Sequence, residues 1–244
     1  AAAQAVSGDY GPRGGGVYVN SGTITLANNT ISGNTAANGG GMYINAGEVI
    51  LTGGSVAGNT ASQNGGGVYL NSTGKATING SGAITGNTAQ YGGGIYAASN
   101  VTGELVLASG EVSANVSTAD SGKSSGIYNA GRTLKMAGSR VDITDNIYLN
   151  HRDYPITLTS PLSGGSNYRI AVNANSYKVR DVVVQPLAGG YPSNVAQYLR
   201  NTTAVDAGFV FAKGTDPDVS GSGVNYIVLK RCIFVSDSGN DSNT

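Results

Sequence analysis

Six tyrosines recur along the first 150 residues, and their side chains could contact a ligand. The first five follow one another at intervals of 25, 26, 27 and 32 residues, each inside a Gly-Gly-apolar-Tyr segment or a decayed form of it, and the sixth follows without such a segment. Exposed rows of tyrosine bind sugar rings or partner side chains. Alternatively, the rings stack on one another as cross-strand pairs and serve stability alone. The six are Tyr18, Tyr43, Tyr69, Tyr96, Tyr128 and Tyr148.

A second column of residues offers amide chemistry. An asparagine follows an apolar residue in each repeat, as in Ile31 to Asn34 and Val56 to Asn59. Asparagine side chains can hydrogen-bond both a local turn and the next asparagine of a stack. The sequence therefore predicts a structural ladder made of Asn34, Asn59, Asn87, Asn115 and Asn146.

Charged residues are scarce where a catalytic site would need them. Glycan-cleaving enzymes require paired carboxylates, or carboxylates beside Arg or Lys. The nearest approach to such a cluster lies where the repeat breaks down, at Asp142, Asp145, His151, Arg152 and Asp153. We assign no catalytic residue and expect no enzyme, and a polysaccharide lyase or glycoside hydrolase remains the alternative. Acidic residues are too few for calcium-binding nonapeptide repeats, whose Gly-Gly-x-Gly-x-Asp pattern does not occur, so we expect no metal. We also expect no cofactor.

Four charges alternate in sign at matching places of the repeat. Each one follows a glycine that opens a strand, and the four are Glu48, Lys75, Glu104 and Arg132. We expect them to form one external column that discourages register slips.

The segment between residues 116 and 125 is longer than its counterparts. It carries Asp120 and Lys123 and widens the tyrosine spacing to 32. Extra length in an economical repeat favours a functional loop, with disorder as the alternative. We list both charged residues as candidate ligand contacts.

These side chains must be positioned by short strands. The 39 glycines of the 244-residue chain separate runs of Val, Ile, Thr, Leu and Tyr that are too short and too β-branched for helices. The alternation places Val17 and Val19 on one face and Tyr18 on the other. Three such strands per repeat predict an all-β fold, a right-handed parallel β-helix with about 25 residues per coil.

The paired motifs resemble a known family. Ile31 with Asn34, followed by Gly39 to Met42, is similar to the repeat pair of the chlamydial polymorphic outer membrane proteins, and so is Val56 with Asn59 before Gly65 to Val68. More widely, the repeats resemble the β-helix passenger regions of bacterial adhesins. The sequence departs from the chlamydial pattern where Ile or Val replaces Phe and a third Gly replaces Ala. The resemblance implies a β-helix and an adhesive role at the cell surface.

The chain divides into three predicted parts. Residues 1–149 hold the regular coils, and residues 150–231 form an irregular β-helix continuation or a β-rich cap. Residues 232–244 look like the start of a following, truncated module, so we expect the sequence to be part of a longer chain.

Composition narrows the function further. Net charge is zero and charged residues make up 11% of the chain, so neither nucleic acid nor direct membrane insertion is expected. The low-charge Gly, Asn and Thr surface is typical of secreted bacterial material. We therefore expect an extracellular structural and adhesive module of a bacterial surface protein that binds a glycan or protein ligand on a host or neighbouring cell. A carbohydrate-binding module is the second reading.

Overall fold

The short strands of each repeat pair in parallel with their counterparts one repeat later. Val17–Val19 pairs with Met42–Ile44, so that Tyr18 lies opposite Tyr43, and the same register continues to Asn146–Leu149. Strands of one coil therefore pair with the next coil and not with one another. The fold is an all-β parallel solenoid, as the sequence predicts, and the described residues contain no helix.

The structure, a computed structural model, describes residues 5–6, 13–122, 124–137, 141–160, 168–172, 182–186, 199–201, 209–215 and 225–231. Its strands form four sheets, named here in the order in which the chain passes through them. Sheet 1 contains Ala5–Val6, Val17–Val19, Met42–Ile44, Val68–Leu70, Ile95–Ala97, Ile127–Asn129, Asn146–Leu149, Tyr168–Val172 and Leu199–Asn201. Sheet 2 contains Thr23–Leu26, Glu48–Leu51, Lys75–Ile78, Asn100–Leu107, Arg132–Met136, Ile156–Leu158, Val182–Pro186, Phe209–Thr215 and Asn225–Arg231. Sheet 3 contains Asn29–Ser32, Gly54–Ala57, Ala83–Thr85, Gly110–Ser113 and Val141–Ile143. Sheet 4 contains Thr35–Asn38, Thr60–Asn64, Thr88–Ala89 and Val116–Ser117.

Sheet 4 adds a fourth strand to the three expected in each coil. Its strands lie between the asparagine and the glycine-rich turn, where the sequence was expected to form only a loop. The segment has few large apolar residues to signal a strand, since Thr35 to Asn38 reads Thr-Ala-Ala-Asn. Backbone pairing with the neighbouring coil supplies the strand instead, with Thr35 opposite Thr60.

The interior is filled by the inward positions of sheets 1, 2 and 3. Val49 and Leu51 are each 1% exposed, and the sheet 3 anchors Val56 and Ile84 are fully buried. Each such side chain stabilises the folded state by roughly 1.5–3 kcal/mol relative to its exposure in the unfolded chain. Because consecutive coils contribute the same positions, the core is one continuous column.

Close contact between coils explains the glycine triplets. A Cβ added to Gly40 would lie 2.5 Å from the carbonyl oxygen of Gly66, and one added to Gly66 would lie 2.4 Å from that of Gly93. The first glycine of the second triplet, Gly39, has a φ of +66°, which L-residues rarely adopt. The turn from sheet 4 to sheet 1 therefore tolerates no side chain.

Parallel pairing continues beyond residue 149 before it changes. Tyr168–Val172 and Leu199–Asn201 extend sheet 1 in parallel, and Ile156–Leu158 and Val182–Pro186 do so in sheet 2. Asn225–Arg231 then pairs antiparallel with Val182–Pro186. The described strands thus include both a continuation of the coils and an antiparallel end. The predicted module at residues 232–244 lies outside the described residues.

Candidate binding surface

The six tyrosines form one continuous stack on the outer face of sheet 1. Consecutive ring centroids lie 5.5, 4.9, 5.2, 4.8 and 5.0 Å apart, and the interplanar angles of the first four pairs are 15° or less. Only the last pair, Tyr128 and Tyr148, is tilted, by 37°. The parallel register makes this arrangement inevitable, since identical outward positions repeat at the spacing of strands.

Stacking changes what the tyrosines can offer a ligand. Each interior ring has a neighbour against both of its faces, so a ligand could reach only its edge and hydroxyl, and at Tyr43 these are covered as well. Tyr43 is only 4% exposed, and the Arg13 guanidinium lies 5.7 Å from its ring centroid. A sugar that packs flat on a ring would find those faces covered along the interior of the stack.

Burial also sets the protonation of the stack. Desolvation raises the pKa of Tyr43, Tyr69, Tyr96, Tyr128 and Tyr148 above 10.0. These phenols are therefore neutral at physiological pH and act as hydrogen-bond donors and acceptors, without charge.

The predicted asparagine ladder is present from Asn34 to Asn115. The side-chain nitrogen of Asn59 donates to Asn87 Oδ1 at 3.0 Å, and that of Asn87 donates to Asn115 Oδ1 at 2.9 Å. Each oxygen also accepts the backbone N–H of the preceding ladder residue. Asn59 and Asn87 are completely buried, so their amides serve the fold and not a ligand.

The ladder ends on Asp145 and not on Asn146, which corrects the sequence prediction. Asp145 Oδ2 accepts both the backbone N–H and the side-chain Nδ2 of Asn115, at 2.9 and 2.8 Å. This coil has no sheet 4 strand among the described residues, and the chain enters sheet 1 directly at Asn146. Asn146 therefore points elsewhere, and its Nδ2 donates to the carbonyl of Gly122.

A shorter ladder, absent from the sequence prediction, lines the turn from sheet 1 to sheet 2. Asn45 donates to Asn20 Oδ1 at 2.9 Å, and Asn71 donates to Asn45 Oδ1 at 2.8 Å. The signal in the sequence is an asparagine two residues after each of the first three column tyrosines. We call Asn20, Asn45 and Asn71 the outer ladder, since Asn20 is exposed and the other two are half-buried.

The candidate loop is organised by Asp120. Its carboxylate accepts the hydroxyls of Ser117 and Ser124, each at 2.5 Å, and Ser124 Oγ accepts the backbone N–H of Gly92 at 3.0 Å. Asp120 therefore fastens the loop to the preceding coil, in addition to any contact with a ligand. Lys123 lies outside the described residues.

The predicted charge column holds for three members and fails at the fourth. Lys75 pairs in register with Glu48, and Glu104 follows it in the next coil. A bulge then shifts the register, so Arg132 pairs with Asn100 and is fully buried. Thr133 takes the register position opposite Glu104, and Lys135, two residues further along the strand, reaches back to it with its Nζ 2.8 Å from the carboxylate. The sequence prediction aligned the four charged residues by the glycine that precedes each of them, and this alignment did not account for the extra residues of the bulge.

Arg132 has a different task. Its guanidinium donates from Nε to the carbonyl of Ala98 and from Nη2 to that of Ser72, both at 2.9 Å, and from Nη1 to Gly74. Burial lowers the pKa of Arg132 to about 10, which leaves it charged at neutral pH. The side chain thus ties together the sheet 1 to sheet 2 turns of two preceding coils.

An open groove of about 440 Å³ runs across these turns. It is lined by Gly22, Thr23, Gly47, Glu48, Thr73, Lys75 and Thr102. Four successive coils contribute, which at about 4.8 Å per coil gives a length of roughly 14 Å. We call it the turn groove. It combines hydroxyl, carboxylate and ammonium groups on a floor of glycine backbone.

The residues weighed for catalysis do not form a common site. Asp145 is engaged by the ladder, and Asp142 is exposed on sheet 3. His151, Arg152 and Asp153 form an exposed turn, in which His151 Nδ1 lies 3.6 Å from Asp153 Oδ2. Within the described ranges, no group of three or more His, Cys, Asp or Glu residues is placed to hold a metal ion.

Comparisons with known proteins found no relative of the chain. No family model, curated protein or solved structure matches the chain. Over the part of the chain that the structure describes, no helix has the length and apolar character needed to cross a membrane.

Proposed function

We propose that the chain is a stiff extracellular segment of a bacterial surface protein, which holds a binding surface away from the cell and attaches it to a glycan or protein ligand. The observation that carries this proposal is the unbroken register of the tyrosine stack across six coils. A column of stacked rings, a buried amide ladder and a continuous core all resist bending between coils. The repeat resemblance to bacterial adhesins supports the same role.

The proposal includes binding without catalysis. Acid and base carboxylates for glycan cleavage would have to face a common cleft. Among the residues that the structure describes, Glu48 is the only carboxylate that lines the turn groove, and Glu104, the next acidic residue in register, is paired with Lys135. This distribution favours recognition over hydrolysis or elimination.

The lining of the turn groove favours one kind of binding function, that of a carbohydrate-binding module. The turn groove is lined by three threonines, a carboxylate and an ammonium group, which suits a polyhydroxylated ligand. The outer ladder lies in the same sheet 1 to sheet 2 turns. No basic field that would attract nucleic acid is present in the composition.

The direct test is a binding screen with the purified chain. The folded chain is applied to immobilised extracellular-matrix proteins and to a printed glycan array, with heat-denatured chain as the control. Saturable binding to a glycan or matrix protein that requires the folded chain is the expected result. Absence of saturable binding to every surface would overturn the adhesive role.

A further inference from the structure

We infer that the turn groove is a saccharide site that takes a short neutral oligosaccharide, recognised through its hydroxyl groups and not by stacking on tyrosine. This inference rests on the proposed function and deepens it by restricting the ligand to neutral saccharides and by assigning their recognition to this groove and not to the tyrosine stack. The interior tyrosine rings cover one another's faces, so a sugar cannot stack on them. The turn groove is therefore the better candidate for the saccharide site.

The two charged groups of the groove are available to a ligand. Lys75 and Glu48 are register neighbours on sheet 2, yet neither has an ion-pair partner within 4.0 Å among the described residues. Glu104, by contrast, is neutralised by Lys135. A carboxylate can accept hydrogen bonds from two vicinal hydroxyls, and an ammonium group can donate three. Opposite charges side by side fit a neutral ligand better than an anion or a cation.

The floor of the groove is rigid backbone. The N–H of Glu48 donates to the carbonyl of Gly22 at 2.8 Å, and that of Lys75 donates to the carbonyl of Gly47 at 2.9 Å. A Cβ at Gly47 would lie 2.4 Å from the Gly22 carbonyl, so this position tolerates no side chain. Because these backbone groups are already paired, the floor offers no free strand edge to which a peptide could add.

Arg132 supports one wall of the groove from beneath. It holds the carbonyls of Ser72 and Gly74, which flank the lining residue Thr73. The second wall residue, Thr102, precedes Gly103 in the bulge, and Gly103 packs directly on the guanidinium. Arg132 thus fixes the backbone on both sides of Thr73 before a ligand arrives, which lowers the entropic cost of binding.

The test is a printed array of neutral, sialylated and sulfated oligosaccharides, probed with the wild-type chain and three variants. Glu48→Gln and Lys75→Gln remove the two charges of the groove. Glu111→Gln removes an exposed carboxylate on sheet 3 and is the matched control. Circular dichroism and the melting temperature verify that each variant is folded.

We expect the wild-type chain to bind neutral oligosaccharides. Each groove variant should weaken the affinity about 10-fold, because a hydrogen bond to a charged group is lost, and Glu111→Gln should bind as wild type does. Saccharide binding that survives both groove substitutions would overturn the inference while leaving the adhesive function standing. A preference for sialylated or sulfated glycans, or binding to matrix proteins alone, would also overturn it.

Discussion

The Arg132 guanidinium occupies the space that a side chain at residue 103 would need. A Cβ built on Gly103 would lie 1.7 Å from Arg132 Nη1. The two residues lie on adjacent sheet 2 strands at the bulge, where the pairing skips from Asn100 to Glu104. The absent side chain of one residue thus allows the other to reach across two coils.

This relationship predicts a strong coupling between the two positions. Gly103→Ala should destabilise the chain by about 1–3 kcal/mol, because the guanidinium is held by three carbonyls and has little freedom to move. Arg132→Met should cost about 2–4 kcal/mol, since those carbonyls lose their donor. Urea unfolding of both single variants and the double variant measures the coupling. Simple addition of the two losses would contradict direct contact.

Because the asparagine ladder is buried, the loss of one of its side-chain amides should lower the free energy of unfolding strongly. Asn87 makes hydrogen bonds to Asn59, Asn115 and Val56 and is fully buried. Asn87→Ala should therefore lower the free energy of unfolding by about 2–4 kcal/mol. Asn20→Ala, at the exposed end of the outer ladder, is the control and should cost less than about 1 kcal/mol. Equal losses in the two variants would contradict the importance of burial.

Asp145, at the end of the asparagine ladder, should tolerate replacement by asparagine. Asp145 occupies a place that asparagine holds in the preceding coils, and it acts there as an acceptor for Asn115. Asparagine retains an acceptor oxygen, so Asp145→Asn should leave the melting temperature close to that of wild type at neutral pH. Asp145→Ala should lower it clearly, because the two Asn115 donors lose their acceptor. Thermal unfolding followed by circular dichroism checks both, and an equal loss in the two variants would refute the acceptor role.

The tyrosine stack predicts a late alkaline transition. Folding raises the pKa of five stacked tyrosines above the unfolded value of 10.0. The stabilisation that follows from their neutral form is fully present below pH 10 and is lost as the pH rises through the folded values. Ultraviolet titration of the native chain should thus show a second group of tyrosines ionising later than the rest, with unfolding in the same range. Urea-denatured chain is the control, and a single native transition near 10 would contradict the stack.

Charge register on sheet 2 predicts a small effect that depends on salt. Lys75 lies between Glu48 and Glu104 in register, so Lys75→Glu would align three carboxylates. The melting temperature should fall slightly at low salt and negligibly at high salt, because exposed charges are screened. A loss that persists unchanged at high salt would point to packing and not to charge.

The sequence predicts the fold well because the repeat encodes it several times over. Inward positions such as Val49 and Leu51, and the outward position of Tyr43, follow from alternation alone. Thr35–Asn38 was missed because a strand made by backbone pairing between coils leaves little side-chain pattern. Arg132 and Asn146 were misplaced for a related reason. A bulge and a shortened coil change the register through long-range pairing, which a count of residues from the nearest glycine does not record.

The candidate site was only partly predictable. The tyrosine positions followed from the sequence, but the covering of their faces depends on the distance between coils. The turn groove brings Thr23, Glu48, Lys75 and Thr102 together from four repeats, and Thr102 enters through the bulge. Glu48 and Lys75 were singled out by their alternating charge, but as a register device; the threonines and glycines that complete the groove are ordinary surface types that nothing in the sequence distinguished before the coils were stacked.

The most direct test of the account is to ask what happens to a bound glycan. The purified wild-type chain is incubated with the neutral oligosaccharide that it binds best on the array, and the saccharide is analysed by mass spectrometry before and after prolonged contact. The account predicts saturable binding and recovery of the saccharide at its original mass. Shorter saccharides or unsaturated fragments that appear with the folded chain and not with denatured chain would contradict it and place the protein among the glycan-cleaving enzymes.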